Sequence, residues 1–245
     1  MSHDFSRDTI DNYLRQLGRA YRKLAGKTAH AEIVLIGGSA IIANYNFRNA
    51  TTDIDALIEK GSLLHDAIRS VANENDLPVD WMNSDFMYTS SYSDQLRRYS
   101  RYYKTFYNVL EVRTISGEYL IAMKMRAYRY YKHDISDVIG IFMEQYEQGN
   151  PLSYQKVMDA YQKLYGSLDN LPANIKDQIK QYSSMTDDEL ESEYQRDQAA
   201  ETQAAKELKE LLADQPDFSD ESIANTLSKD AFERVINSSD DKNER

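Results

Sequence analysis

Two short elements of this chain have residue types and a spacing suited to phosphate chemistry. They are Gly37-Gly38-Ser39 and Asp53-Ile54-Asp55, with thirteen residues between Ser39 and Asp53. Consecutive glycines allow a positive φ and a close backbone approach. Where a helix follows them, its first amides lack intrahelical partners and face whatever occupies the turn, for which a phosphate is the natural candidate. In an extended segment residues two apart share a face, so Asp53 and Asp55 project together while Ile54 turns inward. Two carboxylates so close repel unless a cation lies between them. Hard oxygen donors of this kind suit Mg²⁺, with Mn²⁺ as an alternative, held by one or two carboxylates plus substrate phosphates. Either element alone has an ordinary explanation, a tight turn or a solvated strand end. In this order and at this spacing they imply a nucleoside triphosphate and a metal together.

The segments around them must position this chemistry. Glu32–Ile36 is apolar, β-branched and too short for a helix, which predicts a buried strand, and Ser39–Tyr45 predicts the helix after the turn. Thr52–Ile58 alternates and then becomes apolar, as a neighbouring strand of the same sheet would. A helix over about 62–75 leads to a short extended segment, Leu77–Asn83, and residues 108–115 predict a further strand. Ser116 is a plausible N-cap for the next helix, with Glu118 favourable in its first turn. Leu120, Met123, Ala127 and Tyr130 recur at helical intervals as its buried stripe, and Lys124 lies at the stripe's edge, where it serves either as a phosphate contact or as a solvated surface cation. Asp134 and Asp137, three apart at the start of the following helix, suit its N-terminus or a site. A leading helix over about 5–25 closes at Gly26. After Gly149-Asn150-Pro151 the strand signals stop, and segments 153–165, 173–183, 186–213 and 219–237 read as helices, with 240–245 a frayed tail. The expected architecture is an α/β domain with a mixed sheet over residues 1–150, followed by an all-helical region over 151–245.

The Gly37-Gly38-Ser39 and Asp53-Ile54-Asp55 pair resembles the signature of the DNA polymerase β-like nucleotidyltransferase superfamily. Glu118 to Ala127 and Lys132 to Val138 are similar to its bacterial branch of AbiEii-like toxins and related nucleotidyltransferases. The resemblance spans about residues 30–142. It implies transfer of a nucleoside monophosphate from a triphosphate to an acceptor hydroxyl, with Gly37, Gly38, Ser39 and Lys124 binding nucleotide and Asp53 and Asp55 holding metal. It also implies a third carboxylate that binds metal and draws the acceptor proton. Asp80 fits by its order in the chain, and Glu111 is the alternative. The branch implies an RNA acceptor, such as a tRNA end, and a toxin–antitoxin or phage-defence setting with a cognate antitoxin. An antibiotic-modifying or protein-AMPylating enzyme would share the same site, and a non-catalytic binding module would keep only the fold.

Composition sets the remaining bounds. The 245 residues allow one or two domains and a sizeable core. The absence of cysteine rules out disulfides and thiolate ligands, and His3, His30, His65 and His133 show no zinc spacing. Without a signal-like start or a long apolar run, a cytoplasmic protein with no membrane partner is expected. The net charge of −11 divides as −1 over residues 1–150 and −10 over 151–245. The first part interleaves cations with tyrosines at Arg97–Lys104 and Arg126–Lys132, a mixture that suits phosphate backbones and stacked bases as well as ordinary packing.

Overall fold

In the computed structural model, residues 4–59, 61–129 and 132–214 are described, with the side chains of 207–214 excepted. The helix expected over 219–237, the tail at 240–245, and Tyr130 of the expected stripe lie outside them. The chain forms two compact units. One comprises residues 1–123 and 152–172, the other 124–151 and 173–245. This division differs from a boundary at residue 150. The segment after Pro151 first returns to the earlier unit, where Ser93 Oγ donates to the Leu164 carbonyl at 2.6 Å and Tyr165 donates to the Ser91 carbonyl at 2.8 Å.

The first unit is built on a five-stranded mixed sheet in the order β3-β2-β1-β5-β4. The strands are β1 (Ala31–Leu35), β2 (Ile54–Ile58), β3 (Met82–Asn83), β4 (Ser100–Phe106) and β5 (Leu110–Ile115). β1 runs antiparallel to β2 and parallel to β5, with Val34 opposite both Leu57 and Arg113. β4 is an edge strand in the middle of the Arg97–Lys104 segment. Its residues are largely exposed and its pairing with β5 shifts register between Tyr102 and Lys104, as befits a solvated, irregular edge. β3 spans only two residues of the expected 77–83, because Pro78, Val79 and Asp80 lie in a turn after Asp76 takes a positive φ of 54°.

Helix α1 (Arg7–Ala25) begins where the Ser6 side chain accepts from the Thr9 amide and ends at Gly26, φ 96°. It packs on α3 (Ser62–Glu74), and Gly18 lets it approach β4, since a Cβ there would lie 2.7 Å from Phe106 Cβ. Trp81, 1% exposed, donates its indole N–H to the Ile68 carbonyl and meets Phe5 and Tyr13 edge-on or tilted. Helices α2 (Gly37–Asn44), the first turns of α4 (Gly117–Ala127) and α6 (Tyr154–Tyr165) complete this unit. The second unit holds the end of α4 with α5 (Asp134–Glu147), α7 (Ala173–Tyr182) and α8 (Asp187–Asp214), in which α5 packs along α8. No described helix is long and apolar enough to cross a membrane.

Candidate active site

The turn from β1 into α2 is held from four sides within the first unit. Ile36 donates its amide to the Asp55 carbonyl at 2.9 Å, joining the turn to β2. The Ser39 hydroxyl, fully buried, lies 2.8 Å from the Ile36 carbonyl and 3.0 Å from the Asp55 carbonyl. Asn44 at the far end of α2 donates to Thr114 Oγ1 and to the Ile115 carbonyl of β5. Arg7 reaches from α1 to the last carbonyls of α2, Nε to Ile42 at 2.8 Å and Nη2 to Tyr45 at 2.6 Å, where a cation complements the helix dipole. The amides of Gly37, Gly38 and Ser39 open α2 and have no acceptor inside the helix. Ser39 therefore offers a phosphate its amide, while its hydroxyl is engaged by the fold.

Gly37 has φ +57°, and a Cβ built on it would stand 3.1 Å from Asp55 Oδ2. The turn and the carboxylate are thus in direct apposition. A Cβ on Gly38 would lie 2.7 Å from Thr51 Oγ1 and 3.1 Å from Arg48 Nη2, so a side chain at that glycine meets the chain's own loop first. That loop is fixed by the Phe5–Thr51 bridge, with amide-to-carbonyl distances of 2.7 and 3.1 Å, and by Arg48 Nε donating to the Ala50 carbonyl at 3.1 Å. The guanidinium of Arg48 beside the first turn of α2 adds a cation next to amides already suited to an anion. Sequence reasoning missed it; the signal was an arginine five residues ahead of Asp53.

Asp53 and Asp55 are both half-exposed on either side of the fully buried Ile54, but β2 begins only at Ile54, so Asp55 lies in the strand while Asp53 lies in the bend that leads into it, not in a strand over 52–58. Asp80 lies exposed in the turn two residues ahead of β3, with its carbonyl accepting from Asn83 Nδ2. The residue that pairs with Asp55 across β2 and β3 is Asn83. Glu111 pairs in register with Glu32, near the start of β1, and Leu35 at the end of β1 lies opposite Ala56. Glu111 is therefore several residues along the sheet from the turn, where it binds Arg113 at 2.7 Å. Among the described residues no three of His, Asp and Glu are gathered to hold a metal ion. Asp55 is the carboxylate that faces Gly37, and Asp53 stands two residues ahead of it; oxygen donors of this kind fit Mg²⁺ completed by substrate phosphate oxygens.

The second unit places Lys124 in a buried charge cluster. Its ammonium lies 2.7 Å from Asp134 Oδ1 and 2.8 Å from Asp137 Oδ2. Asp134 also accepts from the Arg129 amide at 2.8 Å and from Arg129 Nε at 3.1 Å. Burial pushes the Asp134 carboxyl up, but the Lys124 and Arg129 cations outweigh it and hold the group below the ordinary carboxylate range. Lys124 was expected at the edge of a cleft as a phosphate contact; here carboxylates ten and thirteen residues later take up its charge. Asp134 and Asp137 face this cation, while a residue of α8 caps α5. Glu201, fully buried, accepts from the amides of Ile135 at 2.8 Å and Ser136 at 3.2 Å and from the Ser136 hydroxyl. Its position, 65 residues away along the chain, left no local signal.

The turn, the Asp55 carboxylate that faces it and the mixed sheet beneath them are those of a nucleotidyltransferase fold. Residues 12–187 match the family described as nucleotidyltransferase of unknown function, DUF6036, and the chain belongs to that family. No curated protein and no solved structure matches the chain.

Proposed function

We propose that the protein transfers a nucleoside monophosphate from a nucleoside triphosphate to an acceptor hydroxyl in a Mg²⁺-dependent reaction. The observation that carries this reading is the apposition of Gly37 and Asp55, which brings the open amides of a helix N-terminus against a carboxylate of the Asp53/Asp55 pair. The amides of Gly37, Gly38 and Ser39, with Arg48 alongside, bind the triphosphate chain. Asp53 and Asp55 would hold the metal. When bound, the metal supplies charge stabilisation for the attacking and leaving oxygens of an in-line displacement. The acceptor oxygen forms a bond to the α-phosphorus, the bond from that phosphorus to the bridging oxygen breaks, pyrophosphate leaves, and the hydroxyl proton passes to solvent. Asp80, exposed in the turn two residues ahead of β3, is the proposed third carboxylate; the carbonyl of its neighbour Trp81 accepts the Ile54 amide at 2.9 Å, next to Asp53.

The acceptor is constrained by charge. An RNA acceptor draws support from Arg98 and Arg101, both exposed, and from Tyr102, 60% exposed on the edge strand β4. Other cations of the same segment are engaged: Arg97 pairs with Glu32 and Lys104 with Asp11. The toxin–antitoxin setting and a cognate antitoxin rest on the resemblance to AbiEii-like proteins. A small acceptor is favoured by a separate observation, the acidic cavity described below.

The test is incubation with each α-labelled triphosphate and Mg²⁺ in the presence of total RNA, protein or small hydroxyl compounds. Label must move into one of these pools with the wild type and stay with the triphosphate for Asp53→Ala and Asp55→Ala. Failure of all four triphosphates to bind or react removes the reading.

A further inference from the structure

On the first unit, a cavity of about 490 Å³ opens along β2, the strand that carries Asp55. Leu57 forms part of its wall, and Leu57 follows Asp55 by two residues in β2, on the same face of the sheet and about 7 Å away. The volume falls within the range of small-molecule sites, roughly 300–1,000 Å³. Its charge is that of an acid. Glu32, Glu59 and Asp94 line it against the guanidinium of Arg97, which is itself paired with Glu32, and the imidazole of His30, which lies 3.8 Å from Glu111. Glu59 accepts the Glu32 amide at 3.0 Å and Asp94 accepts from the Gln95 amide group at 3.1 Å, and neither has a cation partner among the described residues. Met87, 38% exposed, and Tyr92 supply a polarizable and aromatic wall.

We infer that this cavity is the acceptor subsite of the transfer reaction and that it takes a small hydroxyl compound carrying amines, a reading that rests on the nucleotidyl transfer proposed above. Two regions of opposite electrostatic character lie along one strand. The α2 turn, with its open amides and Arg48, takes the anionic triphosphate. The cavity, with its uncompensated carboxylates and an aromatic wall, takes a cation. An RNA strand laid here would bring phosphates onto Glu59 and Asp94, and the one guanidinium lining the cavity, Arg97, is already paired with Glu32. A neutral sugar could give those two carboxylates hydroxyl hydrogen bonds but would leave their charge unpaired. The compound is held by its ammonium groups at Glu59 and Asp94, and one of its hydroxyls, directed along β2 toward Asp55, supplies the attacking oxygen. Its O–H bond gives way to an O–P bond, pyrophosphate leaves, and the proton is lost to solvent.

The test uses the full chain with kanamycin as a polyaminated hydroxyl probe, sucrose as a neutral one, and a short RNA. Titration calorimetry is expected to show kanamycin binding that weakens as salt is raised. Glu59→Gln with Asp94→Asn, which keeps both hydrogen-bond acceptors, is expected to weaken it at least tenfold at an unchanged melting temperature. Sucrose should not bind, and α-labelled nucleotide should pass to kanamycin. Absence of kanamycin binding, or binding that the double variant leaves unchanged, overturns the inference. So does label that moves to RNA and not to kanamycin, although nucleotidyl transfer itself then stands. If the wild type binds no triphosphate in Mg²⁺ while kanamycin still binds and responds to the double variant, the cavity is a cation site and the transfer reading is what fails.

Discussion

Asp55 closes over Gly37: the position a Cβ would take on the glycine lies 3.1 Å from the carboxylate oxygen Oδ2, and the glycine's φ is +57°. Any L-residue at 37 meets two separate penalties. The left-handed backbone costs on the order of 1–2 kcal/mol, and the side chain crowds the carboxylate whose position the chemistry needs. Gly166, with φ +80° and nothing within 4 Å of its would-be Cβ, isolates the first penalty. Both Gly37→Ala and Gly166→Ala are expected to lower the melting temperature, Gly37→Ala by more because of the added crowding, while only Gly37→Ala lowers nucleotidyl transfer. Thermal melts and the labelling assay decide it, and equal activity of the two variants would detach Asp55 from the reaction.

Replacing Asp53 or Asp55 by Asn keeps size and most hydrogen-bonding capacity but removes a charge from the metal's donor set. Both residues are half-exposed, so the core is untouched. Each variant should fold with a normal circular dichroism spectrum and lose transfer by roughly 100-fold or more, given that even residues supporting a metal's ligands are worth about 10–100-fold. Triphosphate affinity in Mg²⁺ should fall alongside activity, whereas affinity measured in chelator should change little.

Lys124 separates a phosphate contact from a structural ion. Its ammonium sits between two buried carboxylates, and removing one member of such a cluster leaves unpaired charge in the interior, typically about 3–5 kcal/mol. Lys124→Met is therefore expected to lower the urea midpoint sharply. Lys124→Met with Asp137→Asn should recover part of that loss, because one orphaned charge goes with the cation. A Lys124→Met protein of wild-type stability with a raised KM for triphosphate would restore the phosphate role.

How much of this was legible from sequence depends on how local each determinant is. β1, the glycine turn, the body of β2 and the helix at 62–74 follow from residues within a few positions of one another and stand where the pattern puts them, whereas Asp53 falls in the bend before β2. β4 was hidden by its own composition. A run of Arg, Tyr and Lys looks like a binding segment until pairing with β5 shows that it is an edge strand whose end charges are matched by Glu32 and Asp11. The partners of Lys124 lie across a break between helices, where no helical period links them. The cap of α5 comes from Glu201 on α8, and the guanidinium beside Gly38 comes from Arg48 on a loop; both depend on packing that the local pattern does not encode. The cavity is also tertiary, since it needs Asp94 and Tyr92 folded against β1 and the end of β2.

The cluster around Asp134 also fixes a direction for acid stability. Its carboxyl is held below the ordinary value of 3.8, burial raising it and the Lys124 and Arg129 cations lowering it by more. In the unfolded chain the group takes up its proton at about its ordinary value, so just below pH 3.8 the unfolded state binds more protons than the folded one and stability falls with pH. The stabilisation is fully present above the ordinary value and disappears as pH drops through the depressed folded value. Asp134→Asn removes that linkage. Melting temperatures measured from neutral pH down to pH 2.5 should fall less steeply below pH 4 for Asp134→Asn than for the wild type, from a lower starting point because Lys124 has lost one of its partners. A variant whose slope in that range matches the wild type would show that acid sensitivity arises from other carboxylates and that the Lys124–Asp134 pair does not contribute to it.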